Sequence, residues 1–255
     1  MESWIKIVEK VKLKNPLLIE GLPGIGNVGR VAAGYLVNEL KMTKFAELYS
    51  PYFLPLVIVH EDAEAHVLNC EFYYKKAKDR DIVVVTGDTQ SITPEGHYEI
   101  SMKIIDFAQS IGVKEIITLG GFIEGQGEKN GHVIGVVNDK KLLKKYKNPS
   151  IDFAKQHHIA TIVGASGLIL GLSKTKDIDA LCLLGETPGA PVLTDPIAAD
   201  NVLRTLSKII GIKVDLKRLE KSIAELNEKI RNVESLHRRT MEQLSPKDEQ
   251  VRYIG

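Results

Sequence analysis

The sequence reads as an α/β three-layer domain with a mostly parallel mixed sheet, followed by a C-terminal coiled-coil-type helix. Three observations lead there. Short β-branched runs such as Asp81-Ile82-Val83-Val84-Val85-Thr86-Gly87 and Glu115-Ile116-Ile117-Thr118-Leu119-Gly120 end in glycine, as parallel strands buried on both faces do. Segments whose apolar residues recur at helical spacing alternate with those runs. From Asp215 onward the pattern changes to heptads.

Along the chain, Leu17-Leu18-Ile19 predicts a strand, Gly21-Leu22-Pro23-Gly24-Ile25-Gly26-Asn27-Val28-Gly29 a tight turn, and Val31-Ala32-Ala33-Gly34-Tyr35-Leu36-Val37 a helix. Gly24, Gly26 and Gly29 satisfy G-x-G-x-x-G, so a phosphate or nucleotide at the helix start is the alternative to a purely structural turn. A dinucleotide site would also need an acid about 20 residues on to hold a ribose hydroxyl. Glu47 is the nearby candidate. After Tyr52–Val59, the alternation in 61–74 predicts an antiparallel ribbon beside the main sheet, with Glu61, Asp62 and Glu64 in a solvated turn rather than on a metal.

The strand ending at Gly87 places Asp88 where ligands gather in such folds. Thr93-Pro94-Glu95-Gly96 opens a helix carrying Ile100, Ile104, Ile105, Phe107 and Ala108. Asp88, Glu95 and His97 are a conceivable acid/base set, but carboxylates at a helix start also serve as caps. After the strand at 113–121 come Gly125, Gly127 and Gly131, a strand at 132–137, and a basic helix at Lys140–Lys147 with a solvated lysine face.

Residues 159–167 predict a strand turning into Leu168–Leu172, and His157 and His158 before it are expected to be structural. Gly164-Ala165-Ser166-Gly167 lacks the second glycine of a nucleophile elbow, since Leu168 stands there. Asp179–Gly185 is the last strand, and Asp195-Pro196 caps and starts a helix with the buried stripe Ala198, Val202, Leu203, Leu206, Ile209 and Ile210. Leu216, Leu219, Ile223, Leu226, Ile230 and Val233 then form the heptad seam, and Pro246 begins a polar tail. The expected divisions are a core at 1–214, an amphipathic helix at 215–245 and a flexible tail at 246–255.

Composition narrows the function classes. Thirty-four basic against 33 acidic residues leave a net charge of +1, which points neither to nucleic acid nor to an anionic membrane. The 44% hydrophobic content suffices for a sizeable core. Cys70 and Cys182 sit in apolar contexts without metal-ligand spacing and read as buried free thiols, which suits the cytoplasm. Neither a signal sequence nor a membrane span is expected.

Together, Gly21–Gly29, Gly120-Gly121, Gly164-Ala165-Ser166-Gly167-Leu168, and Leu184-Gly185-Glu186-Thr187-Pro188-Gly189 with Asp195-Pro196 give a chain that resembles the archaeal-type proteasome assembly chaperone family over residues 1–235. The resemblance implies a nucleoside-phosphorylase-like α/β core, no established catalytic activity, no cofactor, and self-association into rings or other oligomers. It also implies that some members bind the 20S proteasome, through a terminal hydrophobic–tyrosine–any tripeptide that docks between α subunits. Here the tyrosine stands third from the end, in Tyr253-Ile254-Gly255, and Arg252 precedes it.

The expected function is therefore a non-enzymatic, homo-oligomeric chaperone or adaptor whose partners are its own copies and 20S α subunits or a paralogous chaperone. Its contact residues are expected to be Leu219, Ile223, Leu226 and Ile230 on the helix and Tyr253 and Ile254 in the tail. The alternative is a nucleotide- or phosphate-binding enzyme or sensor using Gly24, Gly26 and Gly29, with Asp88 and Glu186 at neighbouring strand ends.

Overall fold

The computed structural model describes residues 2–123, 132–153, 160–187, 194–212, 214–215 and 221. Gly125, Gly127, Gly131, His157, His158, the seam residues Leu219, Ile223, Leu226 and Ile230, and the tail with Tyr253 and Ile254 lie outside them.

Among the described residues, a nine-stranded sheet organises the molecule. In chain order its strands are β1 (Trp4–Ile7), β2 (Leu17–Glu20), β3 (Thr43–Tyr49), β6 (Cys70–Lys75), β7 (Ile82–Gly87), β8 (Glu115–Phe122), β9 (Val133–Val137), β10 (Asp152–Phe153) and β11 (Asp179–Glu186). A separate antiparallel hairpin is made by β4 (Val57–Val59) and β5 (Ala65–Val67). Across the sheet the order is β1-β3-β6-β7-β2-β8-β11-β9-β10. Helices α1 (Val28–Glu39) and α5 (Pro196–Ile210) lie on one face, α2 (Pro94–Ser110) and α4 (Ala165–Ser173) on the other, and the short α3 (Leu142–Lys145) joins the α1 side.

The three-layer expectation holds, but the sheet is less parallel than the β-branched runs suggested. Its centre, β7-β2-β8-β11, is parallel, whereas β1, β3 and β6 on one flank and β9 on the other pair antiparallel. Residues 76–81 alone connect β6 to β7, too few for the crossover that a parallel neighbour needs. The ribbon expected at 61–74 accordingly divides: β5 stays in the hairpin, while β6 is an internal strand of the main sheet.

Alternation along the central strands feeds two cores. Leu18, Val83, Val85, Ile116 and Cys182 meet α2 and α4. Leu17, Ile19, Ile82, Val84, Ile117 and Leu183 meet α1 and α5. Both cysteines are buried and free, and burial pushes the Cys182 thiol up to about 12, so neither is a reactive nucleophile at neutral pH.

The helix starts follow their sequence signals. Thr93 accepts the Gly96 N–H at 3.1 Å with Pro94 just inside α2, and Asp195 accepts the N–H groups of Ile197 and Ala198, each at 3.0 Å. Gly211, at φ +69°, ends α5 in the left-handed conformation that favours glycine.

Two expectations fail locally. Residues 160–163 form no strand; they lead over Gly164, at φ +91°, into α4, and Val163 stays 87% exposed. The lysine face of α3 is only partly solvated. Lys145 Nζ, Arg80 and the Tyr146 hydroxyl all donate to buried Glu115, at 2.6, 2.8 and 2.5 Å. Burial works against that carboxylate, yet the three hydrogen bonds win and hold it below its usual range.

Candidate functional site

The parallel strands end together at one rim of the sheet, where ligands bind in open α/β folds. There the chain leaves β2 through Glu20 and Gly21, turns over Gly24–Asn27 and enters α1. Gly26 (φ +61°) and Asn27 (φ +50°) are both left-handed, a bend in which a β-carbon at residue 26 would be strained and would also meet Thr187 at 2.9 Å. At Gly29 the limit is contact: a β-carbon there would lie 2.2 Å from the Leu119 carbonyl oxygen of β8. Helix and sheet thus touch backbone to backbone.

Two amides at the helix start are already spent. Asn27 N–H donates to the Gly24 carbonyl at 2.9 Å, and Val28 N–H donates to Ile25. The Gly26 carbonyl accepts from Asp195 N–H at 2.8 Å, which fastens the turn to the start of α5.

Beside the turn lies a cleft of about 370 Å³, between the end of β8 and residues 160–166. Gln90 spans it, donating to the Pro23 carbonyl and accepting the Ala165 N–H at 2.9 Å, so it ties the turn to the start of α4. Among the described residues lining the cleft, none carries a charge. Among those described residues a phosphate would meet neither lysine nor arginine.

The proposed ribose acid is elsewhere. Glu47 lies on β3, three strand steps from β2, or about 14 Å at the usual strand spacing. It is also committed: burial would push its carboxyl up, but hydrogen bonds from Lys44, Tyr49 and Lys6 outweigh that and hold it at about 2. Glu186 ends β11 in register with Phe122.

Asp88 does reach the rim, but its polar partners come from other elements than the α2 start. It accepts from Asn69 N–H at 3.3 Å and from His66 Nε2 at 3.2 Å, with an Arg30 guanidinium nitrogen 3.9 Å away. With Nε2 donating to the carboxylate, neutral His66 presents Nδ1 as an acceptor, and His60 Nε2 stands 2.6 Å from it. The chain Asp88–His66–His60 therefore anchors the β4–β5 hairpin to the end of β7. His60 and His66 were not anticipated, because six residues separate them and only the hairpin pairing brings them together.

Glu20 was missed as well. It continues β2 between Val85 and Thr118 and is wholly buried; among the described residues it accepts the Leu22 N–H alone, at 2.9 Å, and Oε2 has no partner. Burial pushes its carboxyl up to about 8, so it is protonated at neutral pH. The available signal was an acid directly following three apolar strand residues.

The model of the PAC2 family matches residues 18–234. A protein of Methanocaldococcus jannaschii is 39% identical over 263 residues, covering the whole of both chains. Among solved structures, PbaB of Pyrococcus furiosus, described as an archaeal proteasome activator, superposes with a TM-score of 0.81 at 38% identity over 91% of this chain and 99% of that one. PbaA of the same organism, described as an archaeal homolog of proteasome-assembly chaperone, gives 0.72 at 26% identity over 92% of this chain and 99% of that one.

Proposed function

This chain belongs to the PAC2 family, and on that premise we propose that it is a non-enzymatic, homo-oligomeric chaperone or adaptor acting on the 20S proteasome or a paralogous partner. The α/β body is the scaffold. Residues 215–245 form an amphipathic helix that serves as the contact element, with the seam Leu219, Ile223, Leu226 and Ile230, and Tyr253 and Ile254 engage the α subunits.

The observation that carries this reading is the packing of the rim. At the place where an α/β enzyme would hold its ligand, Gly29 is closed against the β8 backbone, and the described residues that line the neighbouring cleft are uncharged. Glu47 points the same way, because its position removes the acid on which a dinucleotide would depend. The similarity to PbaB and PbaA supplies the partner class.

A short segment binds by placing a few groups in pockets, and Tyr253 is the large one available after Pro246. Deleting Tyr253–Gly255 is expected to leave the oligomer mass unchanged while reducing capture of purified 20S particles on an affinity matrix. Equal capture by both proteins would remove the tail from the account.

A further inference from the structure

The β4–β5 hairpin presents an apolar face to solvent. Ile58 and His66 stand opposite each other in its register and turn inward, Ile58 onto the core beneath α2 and α4 and His66 onto Asp88. Side chains alternate along a strand, so Val57, Val59, Ala65 and Val67 turn outward. The three valines are 50, 65 and 54% exposed.

The backbone of the same residues points outward too. His60 N–H donates to the Glu64 carbonyl at 2.8 Å, so these two form a hydrogen-bonded pair, and the alternation of an antiparallel ladder makes Ile58 and His66 the next. The amides and carbonyls of Val57, Val59, Ala65 and Val67 are therefore directed to the two outer edges of the hairpin. Among the described residues no third strand pairs with either edge. At the tip, Glu61, Asp62 and Glu64 are exposed, and no described lysine or arginine forms an ion pair with them.

We propose that this hairpin is a docking edge for a short extended segment of a partner protein, one with apolar side chains at alternate positions and lysine or arginine at one end. The segment adds a strand through the outward backbone groups, lays its apolar side chains beside the valines and sets its cation against the acidic tip. Size and charge decide against a second copy. The valine face amounts to on the order of 300 Å², well short of the roughly 800 Å² per partner that a stable interface between folded chains buries. Residues 54–69 contain neither lysine nor arginine, so a second hairpin has nothing to set against Glu61, Asp62 and Glu64. The Asp88–His66–His60 chain holds the hairpin in place before the segment arrives, which lowers the cost of ordering on binding. The inference uses neither the heptad seam nor the tail, so it stands or falls apart from the proteasome reading.

The probe is a fluorescein-labelled octapeptide with valine at alternate positions, threonine between them and two lysines at one end, followed by fluorescence polarisation against the full-length protein. Saturable binding in the micromolar range is expected, weakened about tenfold or more by Val59→Lys and by glutamate in place of the peptide's lysines. Glu61→Lys at the tip should weaken it as well, and it tests the charge without touching the valine face. Both altered positions are exposed, so thermal unfolding should show the fold retained. No saturable binding up to about 1 mM peptide would overturn the proposal. So would equal binding by the Val59→Lys protein, or equal binding of the glutamate peptide.

Discussion

Gly29→Ala is expected to destabilise the protein by on the order of 3 kcal/mol or more, although alanine in a helix is ordinarily favoured over glycine by about 1 kcal/mol. The new methyl would stand 2.2 Å from the Leu119 carbonyl oxygen, and both sides of that contact are backbone. Helix α1 would have to lift from β8, loosening Val28, Ala32 and Leu36, which are fully buried beneath it. Gly24→Ala is the control: at that position a β-carbon meets only the Gln90 side-chain nitrogen, at 3.6 Å, so stability should hardly change.

Thermal unfolding with and without added nucleotide or phosphate checks both variants. Packing predicts a fall of several degrees for Gly29→Ala alone, unaffected by ligand. A well-folded Gly29→Ala, or equal damage at both positions, would return the turn to the ligand-binding reading.

Glu20→Gln is expected to stabilise the protein, and to do so only at neutral and alkaline pH. Burial raises the carboxyl from 4.5 to about 8 in the folded state. Below about pH 4.5 both folded and unfolded chains hold the proton and no penalty arises. Between 4.5 and about 8 the unfolded chain releases its proton while the folded one keeps it, so stability falls as pH rises. Above 8 the loss is complete, on the order of 5 kcal/mol. Glutamine keeps the shape and the Leu22 N–H bond without an ionisable group, so the variant should gain about 10 °C or more in midpoint at pH 8.5 and little at pH 5. The same gain at both pH values would show that Glu20 does not carry its proton into neutral solution.

Much of the layer architecture was legible because it rests on local signals. The buried runs at 17–19 and 82–85, the Thr93 and Asp195 caps and the C-terminal Gly211 of α5 each express a short-range preference, and all stand where those preferences put them. Pairing was harder to read. Trp4–Ile7 is too short and too exposed to announce β1, and its partner β3 comes more than thirty residues later. Nothing within 70–75 says that the strand runs between β3 and β7 rather than in a ribbon; the brief link at 76–81 decides it.

At the rim the glycine motif was plain, but its duty depended on what faces Gly29, and that neighbour lies on β8, about ninety residues downstream. Glu47 sat at a suitable separation along the chain and on the wrong strand. His66 and Asp88 meet only because the β4–β5 hairpin folds back on the end of β7.

The central claim is that the chain works as an oligomeric partner of the 20S proteasome and not through a small molecule at the rim. Native mass spectrometry of the purified full-length protein, alone and mixed with 20S particles, tests it most directly. The account predicts a single homo-oligomer with masses equal to whole multiples of the bare chain, and a new species of 20S plus that oligomer in the mixture. Subunits carrying a retained nucleotide-sized mass, together with no species joining the two proteins, would contradict it.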